Sequence, residues 1–217
     1  MTRSSLSVMT VLLISLTLTA CGGGSSAPPT FVTQILSDPV ADGYIVNSAG
    51  TFTVIQGNTQ SVFAGVDPTT GAESRAFLDF PLTGTGGVPG NAVILSAIVD
   101  IVINNINPQP LNGMIPIRID LVSIQPPTLI ATDYDRTLQP AIMTTTINPP
   151  ISQADFGNHV PIDVTPLMAE VQSLGLSNFQ LRILEDFGTA TFGIIEITDT
   201  TGPDRPILAP LLQVTYQ

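Results

Sequence analysis

No lysine and no tryptophan occur anywhere in this chain, and cysteine and histidine occur once each. Each shortage closes off a kind of chemistry. Surfaces for nucleic acid or anionic lipid neutralise phosphates with clustered cations. Here six arginines face seventeen acidic residues, which sets that class aside. A Ser-His-Asp or Cys-His group has only His159 to build on, and transition-metal sites lack the His and Cys donors they prefer. Paired-carboxylate hydrolysis needs acids alone; Glu170, Glu185 and Glu196 exist, but nothing in their spacing pairs any two. The expectation is that the chain is not an enzyme, with a hydrolase as the remote alternative. One cysteine also forbids an internal disulfide, so stability must come from a packed core. The 43% of hydrophobic residues supply material for one.

A hydrophobic run of spanning length is missing too. Val8–Ala20 falls short of the ~20 apolar residues a transmembrane helix needs. After Arg3, and with its small-residue ending, it has the form of a secretory signal instead. Leu18-Thr-Ala-Cys21 resembles the bacterial lipobox. That resemblance implies cleavage before Cys21 and acylation of its sulfur with palmitate-type chains; the alternative is an ordinary signal followed by an incidental cysteine. A lipidated Cys21 makes the membrane a partner through its lipid, each buried CH₂ contributing about 0.8 kcal/mol and several chains holding firmly. Gly22 is not the aspartate that resembles an inner-membrane retention signal, so the expected location is the outer membrane of a bacterial envelope, facing the periplasm or the exterior. Gly22-Gly-Gly-Ser-Ser-Ala-Pro-Pro29 reads as a flexible tether. The expected organisation is a signal peptide over 1–20, a lipidated cysteine and tether over 21–29, and one domain over 30–217. Past the cleavage point five arginines oppose the seventeen acids, leaving a formal charge of −12.

Along that domain, short apolar or alternating runs recur between Gly, Pro, Asn and Asp clusters, the pattern of a β-sandwich or barrel. Twelve strands are predicted: Thr30–Leu36, Tyr44–Val46, Phe52–Gln56, Ser61–Ala64, Ser74–Phe80, Val93–Asn104, Ile115–Ile124, Ile142–Ile147, His159–Val164, Asn178–Glu185, Thr191–Thr198 and Leu211–Tyr216. Ile117-Arg-Ile-Asp-Leu121 alternates cleanly, which places Arg118 and Asp120 on a solvated face. Phe179-Gln-Leu-Arg-Ile183 does the same for Gln180 and Arg182. One helix is predicted, capped by Thr165, with Pro166 in its first turn, Leu167, Val171 and Leu174 on one face, and Gly175 as its stop.

Taken in order, Asp42-Gly-Tyr-Ile-Val46, Arg75-Ala-Phe-Leu-Asp-Phe80, Pro89-Gly-Asn-Ala-Val-Ile-Leu-Ser-Ala97, Ile162-Asp-Val-Thr-Pro-Leu167 and Pro210-Leu-Leu-Gln-Val-Thr-Tyr216 resemble the DNRLRE-type domains of bacterial surface proteins. These are jelly-roll sandwiches grouped with carbohydrate-binding modules, and the likeness runs over residues 35–216. It implies an all-β, jelly-roll-like antiparallel β-sandwich with one short helix, and glycans as the ligand class. A departure is the segment before the helix, which in that family usually carries tryptophans and here is polar and Thr-rich.

Without tryptophan, the candidate glycan contacts are Tyr134, Arg136 and the loop residue Phe187; the alternative for Tyr134 is an ordinary surface tyrosine. Calcium, which takes carboxylates and loop carbonyls, is the one candidate cofactor, with Asp38, Asp42, Asp133 and Asp135 as donors. The alternative, which the sequence favours, is turn chemistry, since Asp hydrogen-bonds its own backbone at turns. The expected function is a non-catalytic binding or adhesion module for polysaccharide. The alternative is a structural or assembly lipoprotein that binds another envelope protein.

Overall fold

The computed structural model describes residues 28–186 and 192–217. The signal, Cys21 and the tether up to residue 27 lie outside these residues, as does Phe187. All twelve predicted strands form, in the predicted order. They are β1 (Phe31–Leu36), β2 (Gly43–Ser48), β3 (Thr51–Gln56), β4 (Ser61–Val66), β5 (Glu73–Pro81) and β6 (Ile94–Pro108), then β7 (Ile117–Val122), β8 (Met143–Thr146), β9 (His159–Asp163), β10 (Asn178–Glu185), β11 (Gly193–Thr198) and β12 (Leu211–Tyr216). The helix α1 (Thr165–Leu174) lies between β9 and β10, and a single turn, α2 (Arg205–Leu208), precedes β12. Among the described residues no helix is long and apolar enough to cross a membrane.

Every pairing is antiparallel, and the strands make one sheet that curls into the two layers of a jelly-roll-like sandwich. The first layer runs β1-β12-β6-β9. The second runs β6-β11-β4-β5-β10-β7-β8, with the β2–β3 hairpin on the other side of β5. The long β6 belongs to both, pairing with β12 and β9 in its first half and with β11 in its second. At the β4–β11 pair the backbones approach so closely that a Cβ on Gly65, whose φ is +115°, would meet the Gly193 carbonyl at 2.2 Å; only glycine fits there.

Inward residues alternate as the pattern requires. Leu78 and Phe80 of β5, Ile117, Ile119 and Leu121 of β7, and Phe179, Leu181 and Ile183 of β10 are all buried in one core. Each such side chain contributes about 1.5–3 kcal/mol by leaving water. The helix α1 buries Leu167, Met168 and Val171 against this core and stops at Gly175, left-handed at φ +65°. Two details differ from expectation. Thr165 is the first helical residue and caps nothing; its hydroxyl accepts from the Ala97 N–H of β6 while Asp163 accepts from the Thr165 N–H. Leu174 is half exposed, and Met168 takes its place in the core.

The larger correction concerns the outer face of β5, β10 and β7. Asp120, Gln180 and Arg182 point outward from the core, yet none reaches solvent. The chain between β7 and β8 folds back over them. Ile124, Leu129 and Tyr134 from that segment bury against Ile45, Phe77 and Val122 as a second apolar cluster. Gln56 pins the segment from the side, donating to the Pro127 carbonyl and accepting from the Leu129 N–H. The strand period sets which face a side chain takes, and it carries no information about what lies on top.

Candidate functional site

Four of the five arginines among the described residues converge beneath or beside this covering segment. Arg182 and Asp120 are direct cross-strand partners on β10 and β7, with Nη2 2.8 Å from Oδ2 and both side chains fully buried. Arg118 reaches the other Asp120 oxygen at 2.9 Å, and Arg136 of the segment reaches Oδ2 at 3.1 Å. Arg182 also donates from Nη1 to the Asp133 and Gln139 carbonyls, both at 3.0 Å. Burial pulls its guanidinium below the ordinary range and Asp120 opposes that pull. A planar fork of donors suits this work, since one side chain ties a carboxylate and two carbonyls of the segment to the sheet.

Arg75 on β5 repeats the arrangement one strand away. It pairs with Glu73 at 2.6 Å, donates to the Tyr134 carbonyl, and lies 3.9 Å over the centre of the Tyr134 ring. Phe52 of β3 meets the same ring edge-on at 5.1 Å. A cation over a ring face and an aromatic edge are each worth about 0.5–1.5 kcal/mol, so Tyr134 is clamped. Burial, with Glu73 beside it, raises its phenol above the usual range.

Two open grooves flank this construction. One, of about 270 Å³, is lined by Phe52, Arg75, Tyr134, Asp135 and Arg136. The other, of about 640 Å³, runs along Ser123, Ile124, Gln125, Pro126, Thr128 and Ile130. Into the smaller groove the molecule presents three kinds of contact. Phe52 is 41% exposed and offers an apolar edge. Arg136 meets Asp120 through Nε and has over a third of its side chain in solvent. Asp135 accepts from both the N–H and the hydroxyl of Thr137, which hold its carboxyl below the usual range and therefore ionised.

The residues singled out from sequence are placed as follows. Tyr134 and Arg136 do share one groove, but Tyr134 is 6% exposed, with one ring face covered by Arg75. It is a support of the site and offers no open stacking surface. Phe187 and Cys21 lie outside the described residues. Asp133 and Asp135 do not project together from an extended loop, because Ala131–Tyr134 is a 3-10 turn. Asp133 turns back to the Ile130 N–H and Asp135 to Thr137. Asp38 accepts from Val40 N–H, and Asp42 from the Asp79 N–H of β5. All four aspartates thus satisfy nearby N–H groups. Among the described residues no three acid, His or Cys side chains group to hold a metal ion. His159 opens β9 as expected and pairs with Asp100 at 2.7 Å on the outer face of the first layer.

Sequence reading missed Phe52, Arg75, Asp120 and Arg182. Charge scarcity was the available signal. In a chain this poor in cations, Arg118, Asp120 and Arg182 at outward positions of two neighbouring strands mark a face to be neutralised and covered.

Away from the groove, Asp42, Asp79, Asp199 and Glu185 are buried. Asp42 and Asp199 lie together where the β1–β2 and β11–β12 connections meet, both raised by burial, Asp42 further by the Asp199 charge and Asp199 up to about 6. Glu185, at the end of β10, accepts from the Val66 N–H and is raised by burial and by Glu73 to about 7. Compared with known proteins, the chain matches no family model and no curated protein.

Proposed function

We propose that this is a non-catalytic, lipid-anchored binding module of the bacterial envelope, with glycans as its ligands and the groove between Phe52, Asp135 and Arg136 as its contact site. The observation that carries the reading is the pairing, in one 270 Å³ groove, of an exposed aromatic edge with a guanidinium and an ionised carboxylate. Sugars need both: the C–H face of a pyranose packs on an aromatic ring, and adjacent hydroxyls pair with a carboxylate or a guanidinium. The buried Asp120–Arg182 pair and the clamped Tyr134 fix these groups before ligand arrives, which lowers the ordering cost of binding. Contact is shallow, so single-site affinity is weak, and many copies tethered to one membrane act together. The ordered landmarks that resemble DNRLRE-type domains support the same ligand class.

The test is a glycan array probed with multivalent domain 28–217. The expected result is a polysaccharide hit that Arg136→Ala and Phe52→Ala each weaken tenfold or more while the melting temperature stays within a few degrees. No glycan hit, together with a protein partner captured by crosslinking in the native envelope, overturns the reading. One observation favours that second reading: among the described residues β3 pairs only with β2, and its first four residues are exposed, an open edge for strand addition.

A further inference from the structure

The N-terminal end of β1 forms an apolar corner with its neighbours. Phe31 is the register partner of Tyr216 on β12, and their rings stack at 5.8 Å. Tyr216 pairs in turn with Ile94 of β6. Val93 and Gln217 exchange two backbone hydrogen bonds of 2.9 and 3.0 Å, which closes the rim. The Thr33 hydroxyl ties the 81–93 connection to this end by donating to the Gly86 carbonyl at 2.5 Å. Phe31, Val32, Val93 and Leu95 are 50%, 61%, 61% and 45% exposed, and Leu95 is thrown outward by an irregularity in the β6–β12 register.

Charge marks the corner as sharply as hydrophobicity does. The chain carries seventeen acids, yet the segments that build this end (28–37, 81–99 and 206–217) contain no charged side chain at all. Anionic membrane surfaces repel acidic protein faces over about a Debye length, so a neutral face is the one such a molecule can bring to a bilayer. Aromatic and aliphatic side chains of this kind partition into the headgroup boundary. The corner is also where the chain toward Cys21 departs. Nine residues lie between Cys21 and Phe31, and the ten steps give a reach of roughly 17 Å on average for flexible chain and at most ~36 Å extended.

The geometry points to a bilayer-docking surface: Phe31, Val32, Val93 and Leu95 seat this end of the sandwich in the lipid headgroup boundary beside the anchor, and so orient the domain on the membrane. The inference rests on the anchor at Cys21, and its test is built to stand apart from that reading. All twelve strands lie within 31–216, so the chain from Cys21 onward carries the whole fold. Its single thiol can be coupled to a maleimide phospholipid in phosphatidylcholine vesicles whether or not a cell acylates it.

The chain lacks tryptophan, so Phe31→Trp provides one fluorophore at the corner. Phe156→Trp provides another at an equally exposed position, beside Ile103 and roughly 30 Å along β6 from Ile94. Expected is a blue shift and quenching by brominated acyl chains for Phe31→Trp and neither for Phe156→Trp, with Val93→Lys in the Phe31→Trp background losing the quenching. Equal, water-like emission from both reporters overturns the proposal. A blue shift of Phe31→Trp that appears without vesicles and grows with protein concentration also overturns it, assigning the corner to a second copy of the chain. Separately, mass spectrometry of the membrane-extracted protein decides whether Cys21 is acylated. An unmodified Cys21 sinks the anchor and leaves the vesicle result standing on its own.

Discussion

Arg182 and Asp120 face each other across β10 and β7 in a 2.8 Å ion pair from which solvent is wholly excluded. Two further arginines share that one carboxylate, and they do so from the partly exposed side. Asp120 is therefore the counter-charge that Arg118, Arg136 and Arg182 hold in common. The segment carrying the groove residues is seated on it.

The two partners should not be equivalent in mutation. Asp120→Asn leaves Arg182 buried against a neutral amide, and removal of one partner of a buried pair costs about 3–5 kcal/mol. Arg182→Met leaves Asp120 still paired with Arg118 and Arg136, and should cost less. The double variant removes the stranded charge and should be more stable than Asp120→Asn alone, a non-additivity expected of groups in contact. Urea unfolding of the three proteins decides it. A double variant weaker than Asp120→Asn by the full Arg182→Met increment would show that the charges are not coupled.

Tyr134 is expected to matter through its ring. Tyr134→Phe keeps the surface that Arg75 and Phe52 hold and should cost no more than about 1 kcal/mol. Tyr134→Ala removes a buried ring and should cost about 3 kcal/mol. The loss should be local as well as global. Amide exchange at Leu129 and Asp133, whose N–H groups bond to Gln56 and to the Ile130 carbonyl, should accelerate before that of β10. Uniform acceleration across the fold would place the ring's role in the main core.

How far the sequence could be read follows from these residues. Strand existence, order and inward faces were legible because alternation and punctuation by Pro and Gly are local signals, and the twelve strands came out as expected. Alternation gives Asp120 and Arg182 their correct face but not their surroundings, because the residues that cover them come from a segment without regular period. Tyr134 and Arg136 stand out in the sequence as an aromatic and a cation in one loop, and they meet in one groove. The clamp that occupies Tyr134 comes from Arg75 and Phe52, more than fifty residues away in the chain, and no local pattern announces it.

Anchor and domain should separate cleanly. Cys21→Ser removes the expected acylation site while leaving in place every buried side chain among the described residues, the first of which is Ile35. The variant should leave the membrane fraction and keep its melting temperature. A soluble but unfolded variant would mean that the anchor contributes to folding.

The last prediction concerns pH. Glu185 is raised from an ordinary 4.5 to about 7 and Asp199 from 3.8 to about 6. The folded chain therefore holds these protons more tightly than the unfolded chain does. Stability from each group is fully present below its unfolded value and lost as pH rises through its folded one: between about 4.5 and 7 for Glu185 and about 3.8 and 6 for Asp199. At ~1.4 kcal/mol per pH unit of separation, each loss is on the order of 3 kcal/mol. Acting the other way, Asp67, Asp135 and Asp163 are held below the ordinary range by local N–H and hydroxyl donors. They withdraw stability only as pH falls through those lowered values. The melting temperature should thus peak near pH 4 and decline toward pH 8. Glu185→Gln mimics the protonated side chain: it should melt like the parent at pH 4 and above it at pH 8, flattening the upper window while Asp199→Asn flattens the lower. If Glu185→Gln melts below the parent at pH 8, the Glu185 carboxylate is stabilised by its Val66 contact more than burial opposes it, and its contribution to stability rises with pH.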